Sequence, residues 1–313
     1  MKHTFDELRV MQSYPLSMKM TLTRARIREW YHEFGGNVYV SFSGGKDSQA
    51  LLQIVRDMFP NVPAVFVDTG LEYPGIRENV KRFDNVVWLK PKKNFKQVIL
   101  ENGYPYPSKK LSAIISLAQH GGEAALKRCR GEYYTKDGTY SNYNMPKKYR
   151  YLVDSPYKFS DYCCDIMKKQ PVKRYEHETG NVPFLGIMAN ESKMRELTWL
   201  KNGCNAFDIK RPQSMPLSFW TEQDILEYHH MKGNIIAAEY GEIKRDENGK
   251  YYTTGVSRTG CMFCMFGLAN EKSPNRYEQM RVNYPKQYEY CMKPVSDGGL
   301  GMGELIDFLG LKR

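Results

Sequence analysis

No stretch of this 313-residue sequence approaches the eighteen or so consecutive apolar residues that a membrane-spanning helix requires. The opening Met1-Lys2-His3-Thr4-Phe5-Asp6-Glu7 also lacks the apolar stretch of a secretory signal. Together these absences predict a soluble, cytoplasmic chain without a membrane partner. Internal repeats and low-complexity tracts are missing too, which excludes solenoids and fibrous arrays. The six histidines have no metal-ligand spacing, and His229-His230 reads as part of a helix surface. Seven cysteines is an odd number, which in a reducing compartment argues against a disulfide framework and towards metal, cluster or thiol chemistry.

Hydrophobic residues make up 41% of the chain and aromatics 13%, enough for a sizeable core and too much for global disorder. The net charge of +11 is unevenly placed. Residues 81–150 hold fifteen Lys/Arg against five Asp/Glu, a balance of +10 that leaves about +1 for the other 243 residues. A regional excess of this kind points to a partner surface.

Residues 1–36 predict a helical arm, with Leu22, Ile27, Trp30, Tyr31 and Phe34 at roughly helical spacing and Gly35-Gly36 as its stop. A strand at 37–42 leads through Ser43-Gly44-Gly45-Lys46-Asp47-Ser48 to a helical pattern ending near Met58. A second strand ends in Asp68-Thr69-Gly70, and a helix from about Gly75 to Phe83 leads to a third strand at 86–89. This alternation predicts an α/β fold with a doubly wound, mainly parallel sheet. The rhythm breaks over about 102–162, a basic and tyrosine-rich insertion whose later part reads as a long loop. It resumes with a helix after Cys164, a strand at 182–188 and a helix from about Thr221. The expected organisation is therefore the arm 1–36, a nucleotide-binding domain 37–235, and a loop-rich, cysteine-bearing subdomain 236–313.

The segment from Ser43 to Ser48 has the chemistry of a phosphate cradle. Its two glycines let backbone amides approach an anion, the following helix N-terminus favours negative charge, and Ser43, Ser48 and Lys46 add donors. It lacks the Walker spacing Gly-x-x-x-x-Gly-Lys-Ser. Glu191, Ser192 and Arg195 follow a predicted strand and precede a helix, where doubly wound sheets bind ligands. Ser108, Lys109 and Lys110 are further candidates for nucleotide phosphates. Cys261-x-x-Cys264 places two thiolates on one side of a tight turn, as zinc and iron–sulfur centres require.

With these motifs assembled, the chain resembles the PP-loop family of adenine-nucleotide enzymes and, within it, the phosphoadenosine phosphosulfate (PAPS) reductase group. The resemblance rests on the loop after the first strand, Asp68-Thr69-Gly70, the run from Ser160 to Pro171, Gly186 to Ser192 with Arg195, Pro216 to Thr221, and Arg258 to Cys264. It spans residues 37 to about 270. It implies an adenine nucleotide, ATP or PAPS with Mg²⁺, held by Ser41, Ser43, Gly44, Gly45, Lys46, Asp47, Ser48, Asp68, Thr69, Gly70, Lys109, Glu191, Ser192 and Arg195. Lys46, Asp47 and Asp68 are the expected catalytic residues. A [4Fe-4S] cluster is implied on Cys163, Cys164, Cys261 and Cys264, with Cys204 as a substitute ligand. Spacing does not separate a cubane from tetrahedral zinc. Cys129 and Cys291 read as ordinary thiols.

Two departures separate this chain from the reductases it resembles. No cysteine follows Cys291, so the family's nucleophilic tail cysteine is missing, and the phosphate loop keeps Lys46, which reductases usually lack. Both favour an ATP-using relative that releases pyrophosphate and performs iron–sulfur-assisted sulfur transfer with a sulfur or thiol donor protein. A sulfonucleotide reductase making sulfite with an external thiol, and a zinc-stapled nucleic-acid-binding protein, are the competing expectations. The basic segment 81–150 is a candidate nucleic-acid platform, and a homo-oligomer is compatible with everything above.

Overall fold

The computed structural model describes all 313 residues. They form two compact units interleaved along the chain. The first contains Met1–Asp68, Glu72–Lys90 and Pro171–Gly260; the second contains Thr69–Leu71, Pro91–Gln170 and Cys261–Arg313.

In the first unit a six-stranded sheet has the order β3-β2-β1-β4-β6-β5. Its strands are β1 (Val38–Ser41), β2 (Ala64–Val67), β3 (Val86–Leu89), β4 (Val182–Leu185), β5 (Asn205–Ala206) and β6 (Gln213–Ser214). All neighbours pair in parallel except β5 with β6. A separate antiparallel ribbon joins β7 (Ile243–Arg245) to β8 (Tyr251–Thr253). The expected doubly wound, mainly parallel sheet is thus present.

Side chains alternate across the sheet. Val38 and Val40 of β1, Ala64 and Phe66 of β2 and Phe184 of β4 enter the main core, whereas Tyr39 and Val65 pack on the opposite face with Tyr175. The N-terminal helices α1 (Phe5–Ser13) and α2 (Leu16–Glu33) belong to the main core. Ile27 and Trp30 are fully buried there, each worth about 1.5–3 kcal/mol or more of transfer free energy. Tyr240 is buried in the same core. The consecutive segments 1–36, 37–235 and 236–313 are therefore redistributed, because apolar burial draws the arm and residues 236–260 onto the sheet. The unit's other helices are α3 (Lys46–Met58), α4 (Pro74–Lys81), α9 (which starts at Gln170 and ends at Thr179), α10 (Lys193–Asn202) and α11 (Glu222–Lys232).

The second unit is helical: α5 (Phe95–Asn102), α6 (Lys109–Gln119), α7 (Glu123–Arg130), the short α8 (Tyr162–Cys164), α12 (Arg276–Asn283), α13 (Pro285–Met292) and α14 (Met302–Phe308). Between α7 and α8 the helical element is a 3₁₀ turn at Lys147–Asp154, so the later part of the tyrosine-rich stretch is largely loop, as its lack of apolar periodicity predicts. No helix anywhere is long and apolar enough to cross a membrane.

Candidate nucleotide site and cysteine pocket

β1 lies between β2 and β4, and the chain leaves it in one direction for β2 and returns on the other side at β4. Open parallel sheets bind ligands at this kind of switch point, beyond the carboxyl ends of the strands. The loop Ser43–Ser48 follows β1 there, and Gly186 to Ser192 follows β4.

Glycine is required at two of these positions. Gly44 has φ +75°, and a Cβ on it would lie 2.7 Å from Val80 Cγ2 and 2.9 Å from Ile76 Cγ2 of α4. Gly186 passes so close to α3 that a Cβ would meet the Ser48 Cα at 3.0 Å. Ser48 Oγ accepts from the Ser43 amide at 3.1 Å and donates to the Gly45 carbonyl at 3.0 Å, closing the loop on itself. Asn79, buried on α4, donates to the Gly44 carbonyl at 3.0 Å and to Gln49 Oε1 at 2.8 Å. Gly45 caps α3, so the helix amides open towards the loop.

Lys46 is 3% exposed, and a buried ammonium must be paired. Its Nζ donates to the Ser257 carbonyl at 3.1 Å and lies 3.4 Å from Asp47 Oδ1 and 3.5 Å from Glu222 Oε1. The Tyr240 ring lies beneath it, 5.3 Å from Nζ to centroid. Burial raises the Asp47 pKa above the usual carboxylate range despite the Lys46 charge beside it. On the other flank Glu191 takes the Met188 amide at 3.0 Å and pairs with Arg195 and, at 3.5 Å, with Arg258. Burial, and then the charge of Arg258, lower the Arg195 pKa, while the Asp47 carboxylate opposes that shift. Two guanidiniums, a lysine and a helix N-terminus thus surround one loop, an arrangement suited to a polyanion.

Several expected residues join this group: Ser43, Gly44, Gly45, Lys46, Asp47, Ser48, Glu191 and Arg195. Ser41 ends β1 beneath the loop, and Ser192 caps α10 by accepting from the Arg195 amide. Asp68, at the end of β2, accepts from Arg77 Nη2 at 2.8 Å. Thr69 and Gly70 fall in the second unit, where the Leu71 amide donates to Thr69 Oγ1. Lys109 also lies in that unit, and the structure puts it beside the Cys164 thiol.

Sequence reasoning missed Asn79, Ser257, Glu222 and Tyr240, which approach the loop only through long-range contacts. It also misplaced His229, which is fully buried and not on a helix surface. The ring accepts from Asn234 Nδ2 at Nδ1, 3.0 Å, and so carries its proton on Nε2, which donates to the Lys46 carbonyl at 2.8 Å. Burial lowers its pKa from 6.5 to about 4.

In the second unit, Cys163, Cys164, Cys261 and Cys264 line one pocket with Leu71, Phe95, Pro105, Met167 and Lys168. Cys163 and Cys164 lie in α8, which runs into a π-helical turn at Asp165–Lys169. The Cys163 thiol donates towards Cys164, which raises the Cys163 pKa and lowers that of Cys164; Lys109 and Lys168 lower Cys164 further. The other pair sits in a turn closed by the Cys264 amide to the Cys261 carbonyl, 3.1 Å. Arg276 braces that turn, donating to the Cys264 carbonyl at 2.8 Å and pairing with Glu271. No three Cys, His, Asp or Glu side chains converge as ligands of a single ion. Cys204 lies in the first unit, buried, with Ser218 Oγ donating to its sulfur at 3.3 Å. Cys129 and Cys291 are fully buried, and burial pushes both thiols up.

Residues 37–106 match the model of the phosphoadenosine phosphosulfate reductase domain. Two uncharacterized proteins of Methanocaldococcus jannaschii are similar along most of the chain. One is 22% identical over 268 residues, covering 84% of this chain and 42% of the relative. The other is 23% identical over 276 residues, covering 86% and 50%. The chain spans about half the length of these curated relatives or less. Solved structures that align include a PAPS reductase from Candida auris in a phosphate complex, at TM-score 0.39 and 13% identity, covering 80% of this chain and 98% of that one. Candida glabrata FMN adenylyltransferase aligns at TM-score 0.39 and 10% identity, covering 75% and 65%. Residues 37–106, which contain β1, the loop Ser43–Ser48, β2 and β3, are thus similar to the phosphoadenosine phosphosulfate reductase domain.

Proposed function

We propose that the protein is an ATP-dependent sulfur-transfer enzyme. The observation that carries this reading is the complete loop Ser43–Ser48 with Lys46 in the first turn of α3 and Arg195 and Arg258 around Asp47. ATP enters as its Mg²⁺ complex with its phosphates over the loop. An acceptor oxygen attacks the α-phosphorus, the bond to the bridging oxygen of the β-phosphate breaks, and pyrophosphate leaves. Loop amides, Lys46 and the guanidiniums neutralise the charge that develops on the leaving group. A sulfur nucleophile from the donor then displaces AMP, which carries the acceptor oxygen away.

The donor set of the cysteine pocket, four thiols in apolar walls without histidine, fits an iron–sulfur group on Cys163, Cys164, Cys261 and Cys264. Thiolates of one zinc ion sit about 2.3 Å from the metal and so crowd together, whereas a cubane spreads its four cysteines over separate corners. When bound, such a cluster supplies a site that holds sulfur or passes an electron. Lys109 and Lys168 neutralise the Cys164 thiolate, and Arg276 holds the Cys261–Cys264 turn in shape.

Binding of MgATP and of PAPS, followed by ATP–pyrophosphate exchange, tests the proposal. Tight MgATP binding and exchange that falls about 100-fold or more in Lys46→Ala is expected, the scale of losing a main charge-stabilising donor. Preferential PAPS binding, sulfite production with a thiol donor and no exchange would identify a sulfonucleotide reductase instead. Protein purified without oxygen should be brown; a colourless protein carrying stoichiometric zinc would remove the cluster.

A further inference from the structure

Tyrosines on the second unit are placed in a way that packing does not explain. Tyr134, Tyr140 and Tyr143 are 57%, 50% and 58% exposed. They lie on the segment between α7 and the 3₁₀ turn, and that segment is ordered by bonds of its own. Asn144 and Tyr133 exchange hydrogen bonds, the Met145 amide donates to the Arg128 carbonyl, and Tyr134 pairs edge-on with Tyr140 across an antiparallel bridge. Cations hold the rings. Lys110 and Arg128 lie over Tyr143, Arg128 also covers Tyr133, and Arg150 donates to the Tyr140 hydroxyl at 2.9 Å. Each exposed ring is thereby fixed in position with surface left open.

The charge around these rings is predominantly positive. Residues 105–150 contain nine Lys/Arg and three Asp/Glu. Of the three acids, Glu123 is paired with Lys127 and Asp137 is bonded by the Thr135 and Thr139 hydroxyls. Arg130, Lys136, Lys147 and Lys148 are exposed and add to the field. Exposed aromatic area marks interaction sites, and cations interspersed with exposed rings on one segment match a strand of phosphates and unpaired bases. Ordinary duplex offers phosphates but no free base faces, and an acidic protein offers charge without planar partners.

We infer that this face binds single-stranded nucleic acid, with Tyr134, Tyr140 and Tyr143 stacking on bases and the surrounding cations pairing with phosphates. The inference does not depend on the ATP chemistry proposed above. The test is fluorescence anisotropy of the full chain with a labelled thymidine oligonucleotide of about 20 nucleotides, longer than the site size of one such platform. Lys136→Glu/Lys147→Glu/Lys148→Glu should weaken binding more than 10-fold at low salt and lower the salt slope by about 2, at about 0.7 per phosphate contact. Tyr134→Ala/Tyr143→Ala should lose about 5-fold or more per ring, and Tyr134→Phe/Tyr143→Phe should bind as the wild type, because stacking needs the ring and not the hydroxyl. Retained MgATP binding in all variants would separate this face from the nucleotide site. Wild-type affinity in the alanine or the charge-reversal variant would overturn the inference. Equal affinity for duplex DNA or for polyglutamate would overturn it too, showing a charge effect without base stacking.

Discussion

His229 links the core to the phosphate loop, and its burial predicts a specific loss of stability in acid. The ring is neutral because Nδ1 is occupied by Asn234 and Nε2–H by the Lys46 carbonyl, which leaves no site for a second proton. Above pH 6.5 the ring is neutral in both folded and unfolded chains and costs nothing. Between 6.5 and about 4 the unfolded chain takes the proton and the folded chain does not, so stability falls as the pH is lowered. At about 1.4 kcal/mol per pH unit the full loss is about 3 kcal/mol, of which about 2 kcal/mol has accrued by pH 5. The assay is urea unfolding followed by tryptophan fluorescence, since all four tryptophans, Trp30, Trp88, Trp199 and Trp220, lie in the first unit with His229. Wild type should lose about 2 kcal/mol more than His229→Gln between pH 7.5 and pH 5, because glutamine keeps a donor for the Lys46 carbonyl and does not titrate. Parallel pH profiles for the two proteins, or an NMR titration of His229 near its ordinary value, would refute the reasoning.

Two further outcomes follow from buried charge. Because burial raises the Asp47 pKa, its ionised form destabilises the fold as pH rises through that value. Asp47→Asn should therefore lose less Tm than the wild type as pH rises from 3.8 to neutrality, while nucleotide binding weakens. Lys19 and Asp224 form a buried ion pair at 2.6 Å in which Asp224 also accepts from the Thr221 amide and hydroxyl. Lys19→Met should cost about 3–5 kcal/mol by urea unfolding, because it leaves the Asp224 charge buried without its cation.

Much of the fold was legible because its signals are local. The β-branched run at 38–41, the glycines at 44 and 45 and the apolar stripe of α3 each act over one turn or one strand. Periodicity alone therefore placed the loop between a strand and a helix. The same holds for Gly35-Gly36 at the end of α2 and for the start of α11 near Thr221. The cysteine pairs were legible by spacing, and the fold does bring them to one pocket, although they lie 97 residues apart between Cys164 and Cys261.

What surrounds the loop was not legible. Asn79, Glu222, His229, Tyr240 and Ser257 reach residues 44–49 from 30 to more than 200 positions away, and no local pattern distinguishes them from ordinary helix or loop residues. The sequence by itself determined the strand–loop–helix unit, the glycine, serine and lysine composition of its loop and the excess of positive charge over 81–150, because propensity, spacing and composition are properties of neighbouring residues. Only the tertiary structure decided that Lys46 is buried between two carboxylates, that Arg195 and Arg258 share Glu191, and that Lys109 faces a thiol. It also decided that Tyr134 and Tyr140 pair in the open, because which distant side chains share a dielectric environment depends on how the chain packs.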